Sequence, residues 1–237
     1  MKIRQAFILA GGRGERLRPL TDSTPKPLVK VAGKPIIEYS LELLQKHGVE
    51  QVILSIGYLH EKIEKHLGSG EKWGLKINYA IENEPLGTGG ALAAAKDSLD
   101  ESFFMLNGDN IADFDLGKMQ KAHTQSKLLG TIALTEVEDA SSYGAARIEN
   151  GKIVEFVEKP APGTEPSKFV NAGAYVLSKN SLSMLPTGFN LIERTLFPAL
   201  AKKGQLGAYF HNGLWLTTDT LQRIERAEEV LDKKLHP

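Results

Sequence analysis

The sequence predicts an α/β fold built on a mixed, mostly parallel sheet with helices on both faces and appended antiparallel strands. Through the first half of the chain, apolar runs of strand length alternate with amphipathic stretches of helical length, which is typical of parallel sheets. In the second half, Asn150-Gly151 lies between two strand-like runs and indicates a hairpin. The 237 residues are 41% hydrophobic, and no stretch resembles a linker, so we expect one domain over 1–237.

The first half supplies the alternating elements. An apolar run at Phe7, Ile8 and Leu9 breaks into glycines and predicts a buried strand that opens into a loop. The same patterns predict strands at 52–56, 75–81 and 103–106, and helices at 36–47, 59–67 and 88–99. Ligands bind at the carboxyl ends of strands in such sheets, where the glycine loop and Asp109 both lie.

The second half changes character. We predict strands at 145–148, 152–158, 169–177 and 206–210, with a proline-containing surface loop at 161–167. Helices are predicted at 191–203 and 221–234. Asp113 and Asp115 are expected to be solvated or to cap the helix that follows them.

The glycine turn after the first strand favours polyphosphate binding. A dinucleotide fingerprint fails because Leu17 stands where its third glycine should be, and the Gly-Lys-Ser/Thr of a P-loop is absent. What remains is a turn carrying Arg13, Arg16 and Arg18, followed by Lys26 between two prolines, which we expect to be an exposed loop lysine. A purely structural turn is the alternative.

The stretch Leu9-Ala10-Gly11-Gly12-x-Gly14-x-Arg16-Leu17-x-Pro19, followed by Pro25-Lys26-Pro27-Leu28, resembles the signature of the sugar-1-phosphate nucleotidyltransferases. The resemblance implies the Rossmann-like fold of nucleotide-diphospho-sugar transferases. It also implies in-line attack of a sugar-1-phosphate oxygen on the α-phosphorus of a nucleoside triphosphate, with release of pyrophosphate. Arg16 and Lys26 would be catalytic, and the nucleotide would bind Leu9, Ala10, Gly11, Gly12 and Gly14. The family usually has threonine at Glu15, whose side chain we expect to point away or to pair with an arginine.

A second glycine-rich stretch runs from Glu84 to Ala91 and precedes a predicted helix. One interpretation is a helix entry with Thr88 as N-cap. The family resemblance implies instead a loop that lies against the nucleobase and reads it largely through backbone groups. On that interpretation Glu84, Gly87 and Thr88 bind the nucleotide.

Two aspartates are the candidate ligands for Mg²⁺, which is commonly held by one or two carboxylates plus substrate phosphates. Asp109 follows Asn107 and Gly108 at a strand end, where the resemblance places a metal ligand. Most of the family have a second aspartate two residues after the tryptophan, but Thr217 stands there in this chain. A cytidylyl-transferring branch instead matches Trp215, Asp219, Thr220 and Leu221, so we expect the second carboxylate at Asp219. The alternative is that Asp219 caps the terminal helix.

Short motifs of the second half resemble the family's sugar-phosphate side. They are Tyr143-Gly144, Glu158-Lys159-Pro160 and Val170-Asn171-Ala172-Gly173. Taken alone, Lys159-Pro160 could end a strand and Asn171-Ala172-Gly173 could form a bulge. The resemblance covers Phe7 to about Leu221 and implies a short form without a C-terminal β-helix. The sugar-phosphate residues that it implies are Asn107, Gly144, Glu158, Lys159 and Asn171.

Base and sugar remain open. The 84–91 loop favours a guanylyltransferase acting on mannose- or heptose-1-phosphate, whereas the 215–221 ending resembles a cytidylyltransferase acting on glucose-1-phosphate. Uridylyl and thymidylyl transfer are further alternatives, and a non-catalytic nucleotide-sugar sensor is an alternative of another class. The partners implied are a nucleoside triphosphate and a sugar-1-phosphate, and a homo-oligomer is left open.

Composition sets the remaining expectations. Lys plus Arg equals Asp plus Glu at 29 each, which gives no summed positive field for nucleic acid. The chain contains no cysteine, and we find no bilayer-spanning run and no apolar signal segment before the first strand. We therefore expect a cytoplasmic protein with no membrane partner.

Overall fold

The computed structural model describes residues 2–235. In that range the strands are β1 (Gln5–Leu9), β2 (Lys30–Val31), β3 (Lys34–Pro35), β4 (Gln51–Ile56), β5 (Lys76–Ile81), β6 (Ser102–Asn107), β7 (Asn110–Ala112), β8 (Gly130–Glu136), β9 (Gly144–Glu149), β10 (Lys152–Glu158), β11 (Phe169–Ser178), β12 (Leu206–Phe210) and β13 (Trp215–Thr217). The helices are α1 (Ile36–Lys46), α2 (His60–Leu67), α3 (Gly87–Ala94), α4 (Leu116–Ser126), α5 (Leu196–Lys202) and α6 (Leu221–Leu235). The predicted mixed α/β fold with a mostly parallel central sheet is confirmed.

The chain forms two compact units, each made of three separate stretches of sequence. The first unit comprises Met1–Phe7, Leu86–Met105 and Asp115–Asn212. The second unit comprises Ile8–Pro85, Leu106–Phe114 and Gly213–Pro237. The expectation of a single domain over 1–237 stays a prediction. No helix among residues 2–235 is long and apolar enough to cross a membrane.

The second unit contains the strand order β5-β4-β1-β6, to which β1 and β6 contribute residues 8–9 and 106–107. Strands β4 and β5 pair in parallel from Gln51↔Lys76 to Ile56↔Ile81. Helix α1 buries Ile36, Leu41 and Leu44 completely, as its predicted amphipathic pattern requires. A hydrophobic cluster gathers side chains from all three stretches of this unit: Leu17, Val29, Val31, Ile36, Ile111, Ile224, Ala227 and Leu231.

The first unit contains the strand order β6-β11-β8-β12-β10-β9, in which β6 contributes residues 102–105. The predicted hairpin is confirmed, because β9 and β10 pair antiparallel from Lys152↔Glu149 to Glu158↔Gly144. Asn150 and Gly151 both have positive φ, at 50° and 74°, as a tight hairpin turn demands. The rings of Phe156, Tyr175 and Phe197 pack together in its core, with centroids 5.1–5.3 Å apart.

The structure differs from the sequence-based expectations in the bounds of two helices and in strands that were not predicted. The helix expected over 88–99 is α3, which ends at Ala94 and is followed by a 3₁₀ turn at Lys96–Ser98. The helix expected from residue 191 begins only at Leu196, because Asn190 and Ile192 use their backbone groups to bind another segment. Strands β2, β3, β7, β8 and β13 were not expected. Helix α4 does follow Asp115, whose carboxylate accepts the Lys118 N–H and caps it as expected.

Candidate active site

The glycine loop of the second unit begins where β1 ends, and neighbouring backbone fixes it there. The Ala10 N–H donates to the Ser55 carbonyl at 2.9 Å, and the Gly108 N–H donates to the Leu9 carbonyl at 2.9 Å. A Cβ at Gly108 would lie 2.6 Å from that same carbonyl oxygen. Glycine is therefore needed at position 108 for the segment that carries Asp109 to approach the end of β1.

The glycines of the loop have different roles. A Cβ at Gly11 would lie 2.8 Å from Glu82 Oε1, whereas a Cβ at Gly12 would meet nothing within 4 Å. Gly14 has φ +65° and its carbonyl accepts the Thr21 hydroxyl at 2.8 Å. Gly11 and Gly14 thus shape the turn, and Gly12 leaves open space beside an exposed backbone.

The side chain of Glu82 lies against the glycine loop, although no sequence motif pointed to this residue. The Ser55 hydroxyl donates to Glu82 Oε1 at 2.5 Å, and the Glu82 N–H donates to the Ile56 carbonyl at 2.8 Å. Glu84 is exposed beyond the end of β5. Glu15 is exposed at the start of a 3₁₀ turn, which agrees with the expectation that it points away.

Lys26 is not the exposed loop lysine that its flanking prolines suggested. It opens a 3₁₀ turn over Lys26–Leu28, and only 13% of its side chain is exposed. Its Nζ lies 2.6 Å from Asp109 Oδ2, and the Asp109 side chain is 37% exposed. The fold buries the lysine stem and brings its ammonium group to a carboxylate 83 residues further along the chain.

Asp109 and Asp219 come from distant stretches that meet through backbone hydrogen bonds. Strand β13 pairs antiparallel with β7, which places Thr217 opposite Asn110. Thr218 is fully buried, and its N–H and hydroxyl both donate to the Asp109 carbonyl, at 3.1 and 2.7 Å. Asp219 is the next residue, so the two carboxylate-bearing residues lie on adjoining backbone.

The Asp219 carboxylate is held by two arginines. Arg16 Nη1 lies 2.7 Å from one oxygen and Arg223 Nη1 lies 2.6 Å from the other. Burial alone would raise the pKa of Asp219, but the hydrogen bond and charge of Arg223, with the charges of Arg16 and Lys26, hold it below its ordinary value.

The N-cap alternative for Asp219 is not what the structure shows. Thr220 Oγ1 accepts the Arg223 N–H at 3.3 Å, so Thr220 supplies the cap of α6. The Asp219 carboxylate binds arginine side chains instead. The cluster therefore holds two carboxylates and three cations: Arg16, Lys26, Arg223, Asp109 and Asp219.

The donor set of this cluster fits Mg²⁺. Two aspartate carboxylates on adjoining backbone supply hard oxygen ligands, and Mg²⁺ usually takes its remaining ligands from water and substrate phosphates. No group of three His, Cys, Asp or Glu that could form a metal cage by itself occurs within residues 2–235.

In the first unit, the segment 188–193 clasps the glycine-rich start of α3. The Gly89 and Gly90 N–H groups both donate to the Asn190 carbonyl, at 2.9 and 3.3 Å, and the Asn190 N–H donates to the Leu86 carbonyl at 3.0 Å. A Cβ at Gly87 would lie 2.5 Å from the Asn190 carbonyl oxygen. The glycines are needed because another backbone packs directly on them.

Thr88 takes part in the same clasp and is not the N-cap of α3, which already begins at Gly87. Its hydroxyl donates to Glu193 Oε2 at 2.6 Å and accepts the Ile192 N–H at 2.9 Å. Glu193 was missed at the sequence level because its surroundings resembled one turn of an ordinary helix. Burial raises the pKa of Glu193, against the lowering effect of the Thr88 hydrogen bond.

Two of the candidate sugar residues, Glu158 and Lys159, lie close enough to Glu193 in the first unit for their charges to interact. Burial and the negative charge of Glu193 raise the pKa of Glu158, while Lys159 and Arg194 act against them. Gly144 pairs with Glu158 across the hairpin, and a Cβ there would lie 2.9 Å from Glu158 Oε2. Two carboxylates, those of Glu158 and Glu193, therefore lie with the cations of Lys159 and Arg194 at the end of β10.

Asn171 occupies the bulge that was one interpretation of its motif. The register of β11 against β8 shifts between Asn171 and Tyr175. The Asn171 amide donates to the Tyr175 hydroxyl at 2.8 Å and accepts the Gly173 N–H at 2.9 Å. The preceding residue, Val170, pairs with Ala145, which follows Gly144.

The candidate residues thus fall into two groups, one in each unit. The second unit holds Leu9, Ala10, Gly11, Gly12, Gly14, Arg16, Lys26, Glu84, Asn107, Asp109 and Asp219. The first unit holds Gly87, Thr88, Gly144, Glu158, Lys159 and Asn171. Their roles in binding and catalysis stay predictions.

Comparison with known proteins gives consistent matches over nearly the whole chain. The family model described as nucleotidyl transferase matches residues 5–233. A Danio rerio protein named mannose-1-phosphate guanylyltransferase catalytic subunit beta is 43% identical over 218 residues, 90% of this chain and 60% of that protein. The chain therefore spans about 60% of the length of such curated relatives.

Solved structures of related proteins have a similar fold. HddC from Yersinia pseudotuberculosis, solved with GMP-PN, has a TM-score of 0.80 and 28% identity over 97% of this chain and 100% of its own. A Bacillus anthracis protein, named as a candidate glucose-1-phosphate thymidylyltransferase and solved with sucrose, has a TM-score of 0.88 and 27% identity over 95% of this chain and 94% of its own.

Proposed function

This chain belongs to the nucleotidyl transferase family, and on that premise we propose that it transfers a nucleotidyl group from a nucleoside triphosphate to a sugar-1-phosphate. An oxygen of the sugar phosphate forms a bond to the α-phosphorus, the bond from that phosphorus to the bridging oxygen breaks, and pyrophosphate leaves. The observation that carries the proposal is the cluster of the second unit. There the buried Thr218 fixes Asp109 beside Asp219, and Lys26 and Arg16 pair with their carboxylates.

The charges of this cluster suit a polyphosphate. Three cations against two carboxylates leave the cluster itself with a net positive charge, beside a glycine loop against which the Glu82 carboxylate also lies. Transfer of a phosphorus group needs positioning and neutralisation of charge more than a covalent nucleophile. Arg16 and Lys26 are therefore assigned to neutralising the triphosphate, and the loop of Leu9 to Gly14 to orienting it.

Asp109 and Asp219 are assigned as the residues that hold Mg²⁺. Bound there, the ion would supply Lewis-acid polarisation of phosphate oxygens and a template for both substrates. Lys26 and Arg16 are fixed at the same carboxylates, so their positive charges are already located where phosphate oxygens are to be received.

The residues assigned to the sugar and the base lie mostly in the first unit, the exceptions being Asn107 and Glu84. Glu158 supplies an acceptor for sugar hydroxyls, Lys159 a cation for the sugar phosphate and Asn171 an amide. Gly87 and Thr88 face the nucleobase through backbone groups. The raised pKa of Glu158 does not remove its acceptor capacity, since either protonation state of a carboxyl group accepts hydrogen bonds.

For the base and sugar we propose guanine and mannose. Relatives at 43% identity are named mannose-1-phosphate guanylyltransferases, and HddC at 28% identity was solved with a guanine nucleotide analogue. The ending at Trp215 to Leu221, which resembles cytidylyltransferases, is assigned to metal binding through Asp219 and carries no information about the base.

The test is a pyrophosphate-release assay that pairs GTP, CTP, UTP and dTTP with mannose-, glucose- and heptose-1-phosphates in the presence of Mg²⁺. We expect release with GTP and mannose-1-phosphate, dependent on both substrates and abolished by EDTA. Release that is fastest with another pair would correct the base or the sugar. No release with any pair, combined with binding of a nucleotide sugar, would support the non-catalytic sensor.

A further inference from the structure

A cavity of about 560 Å³ lies in the first unit, lined by none of the residues assigned above. It opens where β1 and β6 begin, where β11 ends and beside the C-terminal end of α4. Small-molecule sites in proteins commonly measure about 300 to 1,000 Å³. The cavity therefore has the volume of a binding site for a metabolite.

The floor of the cavity is apolar and neutral. Ile3, Leu128 and His123 line it and are all buried. His123 Nδ1 lies 2.9 Å from the Thr131 hydroxyl, and its Nε2 lies 3.5 Å from the Ser178 hydroxyl, which also lines the cavity. Burial lowers the pKa of His123, so its imidazole is neutral at ordinary pH and can form hydrogen bonds without adding charge.

The rim of the cavity is positively charged. Lys2, Arg4 and Lys127 are exposed there, against the single carboxylate of Asp100. With neutral His123 the lining carries a formal charge of about +2 at pH 7. That charge complements a phosphate monoester, which carries about −1.5 to −2 at pH 7, better than a single carboxylate.

Lys127 occupies its position at a conformational cost. It ends α4 in the left-handed region, with φ 54°, where glycine is the favoured residue. Its N–H and the Ser126 hydroxyl both donate to the His123 carbonyl, which satisfies that carbonyl at the helix end nearest the cavity. Lys127 adopts this conformation although glycine is favoured there, and its side chain lines the cavity.

We propose that this cavity is a second binding site, for a small organic phosphate monoester whose apolar body lies on the floor around His123. The phosphate binds the rim through Lys127, Arg4 and Lys2. The hydroxyls of Ser102, Thr124 and Ser178 also line the cavity; that of Thr124 donates to the Gln120 carbonyl and can still accept a hydrogen bond from the ligand.

The experiment uses phenyl phosphate as the probe, in calorimetric titrations of the full chain. Benzoate is the carboxylate arm and phenol the uncharged arm. The test variant is Lys127→Gly, which removes the ammonium group and relieves the positive φ, so it is not expected to unfold. The matched control is Lys121→Ala, which removes an exposed lysine from the same helix outside the cavity.

We expect phenyl phosphate to bind more tightly than benzoate and phenol, and Lys127→Gly to weaken it roughly tenfold while Lys121→Ala does not. Hydrogen exchange with phenyl phosphate should show protection at residues 2–4 and 123–129. Equal affinity in both variants, or protection confined to the glycine loop at 9–14, would overturn the proposal. So would tighter binding of benzoate, since that would contradict a dianionic ligand.

Discussion

In the second unit, the two cationic side chains assigned to catalysis already form ion pairs with carboxylates in the absence of substrate. Lys26 pairs with Asp109, and Arg16 pairs with Asp219. A phosphate oxygen can replace a carboxylate at such a cation without leaving a positive charge unpaired in a partly buried place. A test of these residues must therefore separate lost chemistry from lost folding, which matched control variants can do.

Lys26→Ala should slow pyrophosphate release by on the order of 100- to 1,000-fold, as for other groups that stabilise charge in a transition state. Lys34→Ala is the control, because Lys34 also pairs with a carboxylate at 2.6 Å, that of Glu42, but none of our assignments includes it. We expect Lys34→Ala to keep its rate. Equal rates in the two variants, measured at saturating substrates, would remove Lys26 from the catalytic group.

Asp219→Asn should abolish most Mg²⁺-dependent turnover, because the amide keeps the shape but loses the charge that a metal ligand needs. Asp113→Asn is the matched control, since Asp113 also pairs with a cation, Lys234 at 3.6 Å. The measurement is initial rate against Mg²⁺ concentration. If Asp219→Asn turns over with an unchanged Mg²⁺ requirement, the second ligand lies elsewhere.

Glu193→Gln should change how stability depends on pH. Folding raises the pKa of Glu193, so the folded state binds its proton more tightly, and the free energy of unfolding falls as pH rises through that range. The glutamine oxygen can still accept from the Thr88 hydroxyl. We expect the variant to lose less stability than the wild type between about pH 5 and pH 8. Denaturant unfolding at both pH values measures this, with the exposed Glu138→Gln as the control. A variant that loses as much stability as the wild type between the two pH values would contradict the prediction.

At the scale of elements, the packing of segment 188–193 on the start of α3 distinguishes the two glycine-rich stretches. The stretch at 84–91 is covered by other backbone, and the loop at 9–14 is partly open. At the second stretch every glycine contacts foreign backbone or side chain, whereas Gly12 of the first faces open space. The difference comes from long-range packing and cannot be predicted from local composition. The hairpin at Asn150-Gly151, by contrast, was predictable because its turn chemistry is entirely local.

Gly89→Ala should destabilise the first unit, because a Cβ there would lie 1.9 Å from Asn190 Oδ1 and force the clasp apart. Overpacking of this kind costs about 1 to 3 kcal/mol. Gly12→Ala is the stability control, and we expect it to stay within about 0.5 kcal/mol of the wild type. Denaturant midpoints check both. A Gly89→Ala variant as stable as Gly12→Ala would show that the clasp opens at little cost.

Over the whole molecule, the sequence predicted the fold class because the alternation of elements and their apolar faces follow from local periodicity. The 3₁₀ turn that buries Lys26 and the double hydrogen bond from Thr218 to Asp109 could not be foreseen. The contact of Lys26 with Asp109 joins residues 83 positions apart and that of Thr218 with Asp109 joins residues 109 positions apart, and neither has a periodic signal. Glu193 was not predicted as a site residue for the same reason, because the feature that marks it is a hydrogen bond from the distant Thr88.

The division of candidate residues between the two units leads to the last prediction. Glu158→Ala should raise the KM for sugar-1-phosphate by about 10- to 100-fold, because it removes the acceptor assigned to the sugar hydroxyls, and should change the KM for the triphosphate little. Asn171→Ala should act in the same direction. Glu155→Ala is the control, because Glu155 lies on the same strand but is exposed and pairs with Arg147. Steady-state kinetics with each substrate varied in turn measures the split. Equal increases in both KM values would show that Glu158 does not belong to the sugar side and that the assignment of substrates to residues must be redrawn.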